Sequence, residues 1–290
     1  MRSEKEMMDL ILGFAKNDER VRVVTMEGSR MNRNAPRDRF QDYDISFYVT
    51  GVESYVETDD WLDVFGRRII MQKPQSMAMF PPEPGKQQAY LMLYEDGNRI
   101  DLTLNPLDEF DIRIKKADSQ TKVLLDKDGL CPPLPEPSDR DYHVRKPSAE
   151  FVDDCCNEFW WLSTYVAKGL CRNEMLYALH HLELMQKQLL TMVSWKAGAQ
   201  TGYTVSVGKS CKYLEKFVSP AMWGRILQSY GAPSAAGCWK ALRNACALFR
   251  EVSAEVAAGL GYRLPPYGDK VGAYLDNLRR EEGLADGSGT

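Results

Sequence analysis

Asp42 and Asp44 stand two residues apart at the start of a run that alternates polar and apolar side chains, Asp42 to Val49. In an extended segment such alternation puts Asp42, Asp44, Ser46 and Tyr48 on one face and Tyr43, Ile45, Phe47 and Val49 on the other. Two carboxylates on one face can hold a divalent metal ion, and the apolar face anchors the strand that carries them. Asp101 repeats the setting, since Asp101 and Thr103 alternate with Ile100, Leu102 and Leu104. Asp96-Gly97 just before it reads as a hairpin turn joining a strand near Ala89–Tyr94 to one near Arg99–Leu104. Gly28-Ser29 closes the apolar run Val21 to Met26 and reads as a strand-to-helix turn, whose free backbone N–H groups and serine hydroxyl can face phosphate oxygens. Singly, a Gly-Ser pair is a turn and an Asp-x-Asp pair a solvated strand end. In this order they make a nucleotide site.

These residues need a sheet to position them. Strand-like runs at Val21–Gly28, Asp44–Val49, Arg68–Met71, Ala89–Tyr94 and Arg99–Leu104 alternate with helical stretches near Glu4–Lys16 and Asp108–Lys116, which predicts a small mixed sheet with helices against it. The composition then turns proline-rich from Gly129 to Pro147, as in a linker or extended strap. Beyond it, Ala149–Gly169, Asn173–Ala197, Lys209–Phe217, Pro220–Gln228 and Ser234–Ala258 carry apolar residues at three- and four-residue spacing, with Gly169 and Gly198 read as helix stops. The expected fold is therefore α+β: a catalytic domain over 1–132, a linker over 133–147 and an all-helical domain over 148–290, with the active site in the cleft between the two domains. The tail Gly287-Ser288-Gly289-Thr290 is expected to be disordered.

Two further constellations belong to the helical half. Between Pro147 and Ala167 stand four acids, Glu150, Asp153, Asp154 and Glu158, and no basic residue. Asp154 and Glu158 fall one helical turn apart, with Asn157 between them and Trp161 further along the stripe. This is either a solvated acidic face favoured by the helix dipole or a surface that recognises a cation. Trp160 or Trp161 is expected in the core. Gly208-Lys209-Ser210 is not a phosphate loop, because five residues rather than four separate Gly202 from Gly208. What remains is a basic helix start, with Lys209, Lys212 and Lys216 at helical steps and Tyr213 beside them: solvated lysines, or a grip on a triphosphate. The acidic run Glu53, Glu57, Asp59, Asp60 and Asp63 reads as a solvated loop around Trp61, with a subsidiary role in holding substrate amines as the alternative.

Composition limits what such sites can serve. The 290 residues are 44% hydrophobic and 27% charged with a net charge of -4, a soluble globular balance that lacks the basic excess of a nucleic-acid binder and suits a cationic small substrate. No apolar run approaches the ~20 residues of a membrane span, and Glu4, Glu6 and Asp9 stand where a signal peptide has no acids, so a cytoplasmic protein is expected. Seven cysteines form no disulfide framework or zinc spacing. His143, His180 and His181 form no metal pair, so any metal is a hard ion on carboxylates.

Gly-Ser, a spacer, Asp-x-Asp and a later strand aspartate resemble the signature of the DNA polymerase beta-like nucleotidyltransferases. The stretches Met26-Glu27-Gly28-Ser29-Arg30, Phe40-Gln41-Asp42-Tyr43-Asp44, Asp96 to Leu104, Leu124 to Asp128, Asp153 to Trp160 and Ser163 to Val166 are similar to the aminoglycoside 6-adenylyltransferases, which modify streptomycin. The resemblance runs to about Tyr274, and Leu275 to Thr290 finds no counterpart.

It implies that ATP donates AMP to the 6-hydroxyl of streptomycin and that pyrophosphate leaves. Two Mg²⁺ ions are expected as cofactors, held by Asp42, Asp44 and Asp101. Asp101 and Glu158 compete for the role of general base. Gly28, Ser29, Arg30, Lys209, Lys212 and Tyr213 are the implied nucleotide contacts, with Arg30 and the lysines neutralising charge on pyrophosphate. Asp153, Asp154, Asn157, Glu158 and Trp161 are the implied aminoglycoside contacts. The expected partners are ATP and a cationic aminoglycoside, with no nucleic acid and no membrane, acting on a monomer. The alternatives are another acceptor (a lincosamide, a different aminoglycoside hydroxyl or a protein hydroxyl) or a nucleotide-binding regulator without turnover.

Overall fold

The structure is a computed structural model that describes residues 1–79 and 85–281. The expectation of a disordered end at Gly287–Thr290 lies outside the described residues. The chain divides into two compact units, Met1–Asp141 and Tyr142–Thr290.

The first unit runs α1 (Glu4–Asn17), β1 (Val21–Glu27), β2 (Tyr43–Val49), α2 (Glu53–Val56), β3 (Arg68–Gln72), β4 (Gln88–Tyr94), β5 (Arg99–Pro106), α3 (Phe110–Lys115) and β6 (Lys122–Asp126). Ser3 starts α1 with a reciprocal cap, its hydroxyl accepting from the Glu6 amide while the Glu6 carboxylate accepts from the Ser3 amide. The six strands lie in the order β3-β4-β5-β2-β1-β6. Every neighbouring pair is antiparallel except β2 and β5, which are parallel. The turn at Asp96-Gly97 joins β4 to β5 as expected, with Gly97 at φ 81.

Strand alternation divides the sheet into an apolar and a polar face. Tyr43, Ile45, Phe47 and Val49 pack with Met26, Ile100, Leu102 and Leu104 against Met7 and Ile11 of α1. On the opposite face, Tyr48 and Val23 pack on Phe110 and Ile114 of α3. The rest of that face, from Thr25 and Glu27 across Asp44 and Ser46 to Asp101 and Thr103, is polar. In the acidic run around Trp61, Asp59 pairs with Lys73 at 2.8 Å and Asp63 with Arg68 at 2.7 Å. Trp61 is packed between Phe14 and Tyr55.

The second unit is helical: α4 (Ala149–Cys171), α5 (Met175–Gln200), α6 (Pro220–Gln228), α7 (Ala235–Leu260) and α8 (Tyr267–Glu281). Ser148, Ser219 and Ser234 cap α4, α6 and α7 through their hydroxyls. The core is a helical cluster in which Phe159 and Phe249 stack at 3.7 Å. Trp160 belongs to that core, whereas Trp161 is exposed.

Two local expectations are corrected. Gly169 and Gly198 lie inside α4 and α5 rather than ending them. A Cβ on Gly169 would sit 3.0 Å from Tyr177 and one on Gly198 would sit 2.8 Å from Tyr203, so each glycine permits a close approach. Lys209–Phe217 is not an α-helix but two 3-10 turns, Lys209–Cys211 and Leu214–Phe217, with Ser210 and Cys211 at φ 54 and 60. Leu275 is a buried residue of α8. All seven cysteines are free thiols. Among the described residues, no helix is long and apolar enough to cross a membrane.

Candidate active site

Register builds the acid cluster. Glu27 of β1 is the antiparallel partner of Asp44, and Asp44 is the parallel partner of Asp101. Partners opposite one another in a sheet project to the same face, so three carboxylates form a row across β1, β2 and β5. Asp42 precedes β2 by one residue and stands beside that row. The charges oppose one another. Burial pushes Asp44 up to about 6, and the charges of Asp101 and Asp42 add to it, while Arg99 and Arg30 pull the other way.

Glu27 is the carboxylate that the sequence reading missed. It accepts hydrogen bonds from the hydroxyls of Thr25 and Ser46. Burial raises it to about 7 against the pull of those donors, and Asp44 contributes in the same direction. A signal was present, because Thr25 and Glu27 alternate with Val24 and Met26 in a strand that is otherwise apolar at its end.

The turn at Gly28 closes on this row. Gly28 has φ 76, and a Cβ there would lie 2.3 Å from Asp44 Oδ2, so both the backbone and the neighbouring carboxylate require glycine. Gly28–Met31 is a single 3-10 turn that brings Ser29 to the end of β1. Gln41 Nε2 donates to the Ser29 carbonyl at 3.1 Å, tying this turn to the segment that carries Asp42.

Arg30 is placed otherwise than expected. Its side chain is buried, with the residue 6% exposed; its guanidinium lies 3.7 Å from the centre of the Tyr43 ring, on the apolar side of β2. Its Nε donates to the Asp42 carbonyl at 3.0 Å and Nη2 to the Gln41 carbonyl at 2.9 Å, and Nη1 pairs with Glu4. Arg30 therefore fixes the Asp42 backbone, and its donors are not turned towards a leaving pyrophosphate.

Arg99 is a second omission. Its Nε and Nη2 donate to the two oxygens of Asp101 at 2.8 and 2.7 Å, and Nη1 lies 3.7 Å from Asp42 Oδ2. Carboxylate oxygens on one face are the donor type that Mg²⁺ takes, and the mutual repulsion of Asp44, Asp101 and Asp42 is what a divalent cation relieves. Among the described residues, however, no three acids are gathered around one point. The donors fit such an ion in kind, with Arg99 standing among them.

In the helical unit, Asp153, Asp154, Asn157, Glu158 and Trp161 are all exposed on α4. None of the three acids has an ion-pair partner among the described residues. Trp161, 57% exposed, meets Tyr165 edge-on at 6.0 Å, and Tyr165 meets His181 at 5.1 Å. Aromatic edges and unpaired carboxylates thus share one surface. In the basic segment, Lys212 and Lys216 place their ammonium groups 5.1 and 4.8 Å from the Tyr213 ring, while Lys209 is exposed. Gly208 at φ 73 makes that packing possible, since a Cβ there would lie 2.7 Å from Tyr213. With no helix there, the expected phosphate grip by free N–H groups of a helix start is withdrawn.

Comparison with known proteins gives one consistent result. The sequence model of the family described as streptomycin adenylyltransferase matches residues 1–278. A protein of Bacillus subtilis (strain 168) named aminoglycoside 6-adenylyltransferase is 48% identical over 279 residues, covering 96% of this chain and 98% of its own. One of the same name from Campylobacter jejuni is 46% identical and covers 99% of both. A crystal structure of an aminoglycoside 6-adenyltransferase from Bacillus subtilis aligns at 44% identity and a TM-score of 0.48, covering 96% of this chain and 99% of that one.

Proposed function

The chain belongs to the streptomycin adenylyltransferase family, an enzyme family of nucleotidyltransferases, and we propose that it transfers AMP from ATP to the 6-hydroxyl of streptomycin with release of pyrophosphate. The observation that carries this reading is the register that sets Asp44 beside Asp101 on the polar face of the sheet, with the Gly28-Ser29 turn at the end of the adjoining strand. A binder of nucleotide alone has no need of a row of mutually repelling carboxylates.

Each unit has its part. Asp42, Asp44 and Asp101 would hold Mg²⁺, which when bound offsets the charge of the triphosphate and makes pyrophosphate a better leaving group. The Ser29 hydroxyl and amide hold phosphate oxygens, and Arg30 keeps Asp42 in place through its carbonyl. Lys209 and Lys212 supply positive charge for the triphosphate, with Tyr213 packed beneath the Lys212 ammonium. The cationic acceptor is held on α4, where guanidinium forks of streptomycin match Asp153, Asp154 and Glu158. Trp161 and Tyr165 offer the same cations an aromatic surface.

The test is pyrophosphate release over a panel of aminoglycosides with each nucleoside triphosphate, with calorimetry of the acceptor on Asp154→Asn and Glu158→Gln. Each substitution keeps shape and removes charge, and should cost about 1 to 3 kcal/mol of streptomycin binding while leaving ATP binding unchanged. Collapse of turnover in Glu158→Gln with streptomycin still bound assigns the general base to Glu158. Unchanged streptomycin affinity in both variants, with normal turnover, removes α4 as the recognition surface.

A further inference from the structure

The acid row already has a cation in it. Arg99 lies two residues before Asp101 on β5 and so projects to the same face, where its guanidinium takes both carboxylate oxygens of Asp101 in a paired hydrogen bond and reaches towards Asp42. Its side chain is 42% exposed, more than that of either aspartate, at 20% for Asp101 and 36% for Asp42. It therefore has room to leave towards solvent without unpacking the sheet. Both oxygens of Asp101 are engaged by Arg99, and among the described residues no three acids converge to hold an ion.

We propose that Arg99 is a resident counter-ion of the acid row: it holds Asp101 and shields Asp42 while no metal is bound, and a divalent cation enters by displacing the guanidinium from Asp101. The inference rests on reading the row as the cation site. Arg99 is a positioning residue in this scheme, because it acts through the orientation and charge of Asp101. A permanent support and a displaceable counter-ion make opposite predictions. If Arg99 only props Asp101 in its working position, removing it disorders a ligand and weakens cation binding. If it competes with the cation, removing it frees Asp101, and the cation binds more tightly to a protein that is less stable without it.

The experiment measures Mn²⁺ binding to the full chain without nucleotide, by the electron paramagnetic resonance signal of the free ion, together with melting temperature in EDTA and in excess Mn²⁺. Parent, Arg99→Met, Arg99→Lys and Asp44→Asn are compared. Competition against a paired, charge-assisted contact on a partly exposed carboxylate predicts Mn²⁺ binding on the order of tenfold tighter in Arg99→Met. The melting temperature of that variant should fall below the parent's in EDTA and recover in Mn²⁺. Arg99→Lys keeps the charge and loses the fork, so its affinity should lie between the two; it carries the comparison should Arg99→Met fail to fold. Mn²⁺ affinity in the arginine variants that equals or falls below the parent's overturns the counter-ion role and leaves the cation site standing. A parent that binds no Mn²⁺, or Asp44→Asn that binds like the parent, overturns the cation site and the inference with it.

Discussion

Replacing Glu27 by glutamine removes a carboxylate that the fold holds against its tendency to ionise. Burial raises Glu27 from 4.5 to about 7. An acid whose folded pKa lies above its unfolded value keeps its proton in the native state over a window in which the unfolded chain has already lost it. The native state then binds more protons, so stability falls as pH rises from about 4.5 to about 7. At 1.36 kcal/mol per pKa unit the full loss is about 3 kcal/mol, most of which develops between pH 5 and pH 8. Glutamine abolishes this slope. Its amide nitrogen cannot accept, so it must donate to one of the two hydroxyls, Thr25 or Ser46, which has to turn round and give up its own donation, at about 1 kcal/mol. Parent and Glu27→Gln should therefore be about equally stable near pH 5, with the variant more stable by about 2 kcal/mol at pH 8. Because the chain has two units, one global unfolding curve mixes them. Urea dependence of hydrogen exchange in peptides from β1 and β2, in EDTA at both pH values, isolates the effect. Parallel pH dependence in the two proteins would refute the reasoning.

Gly28→Ala puts a methyl group 2.3 Å from Asp44 Oδ2 at a backbone angle that alanine avoids; displacing a catalytic group by about 1 Å costs roughly a hundredfold, so turnover should fall by at least that while the melting temperature of the helical unit holds. Asp42→Asn and Asp44→Asn should each abolish turnover, with stability in EDTA unchanged or raised because one repelling charge is gone; retention of a tenth of parental activity in either would contradict the metal assignment. Lys209→Ala and Lys212→Ala should raise the ATP concentration needed for half-maximal rate by roughly ten- to hundredfold, as expected for a lost charged contact to phosphate, and leave streptomycin binding alone; equal ATP dependence would mark them as solvated lysines.

The strands of the sheet and the aspartates on them were legible because a two-residue period leaves a mark in local sequence. Tyr43, Ile45 and Phe47 had to face one way if Asp44 and Ser46 faced the other. The other neighbours of those aspartates were not legible. Asp101 was expected beside Asp42 and Asp44, but nothing near Asp44 states that Glu27 lies opposite it on the other side, and a row across three strands exists only once register is set. Glu27 and Arg99 were missed for that reason. The segment at Lys209 failed differently, since lysines at helical spacing fit a helix, but left-handed Ser210 and Cys211 and the packing of Tyr213 on Gly208 favour tight turns. Arg30 was legible as a charge and illegible as a brace, because its partners are backbone carbonyls and a ring. β6 is only five residues long and α8 is largely polar, so neither stood out as an apolar run.

Catalytic competence in this fold has to wait for a pairing between distant parts of the chain. β2 joins β5 in parallel, with α2, β3 and β4 lying between them in sequence. The loop that links them must close before Asp44 meets Asp101, whereas α1, the β1–β2 pair and the β4–β5 hairpin draw on nearer contacts. The repulsion between Asp44 and Asp101 is thus introduced only when a nearly complete sheet is there to bear it. A chain emerging from synthesis or refolding from urea can hold most of its helix and hairpin content while possessing no site at all. Recovery of activity should lag recovery of far-ultraviolet circular dichroism, and substitutions that slow β2–β5 pairing should lengthen that lag without altering the rate of the finished enzyme.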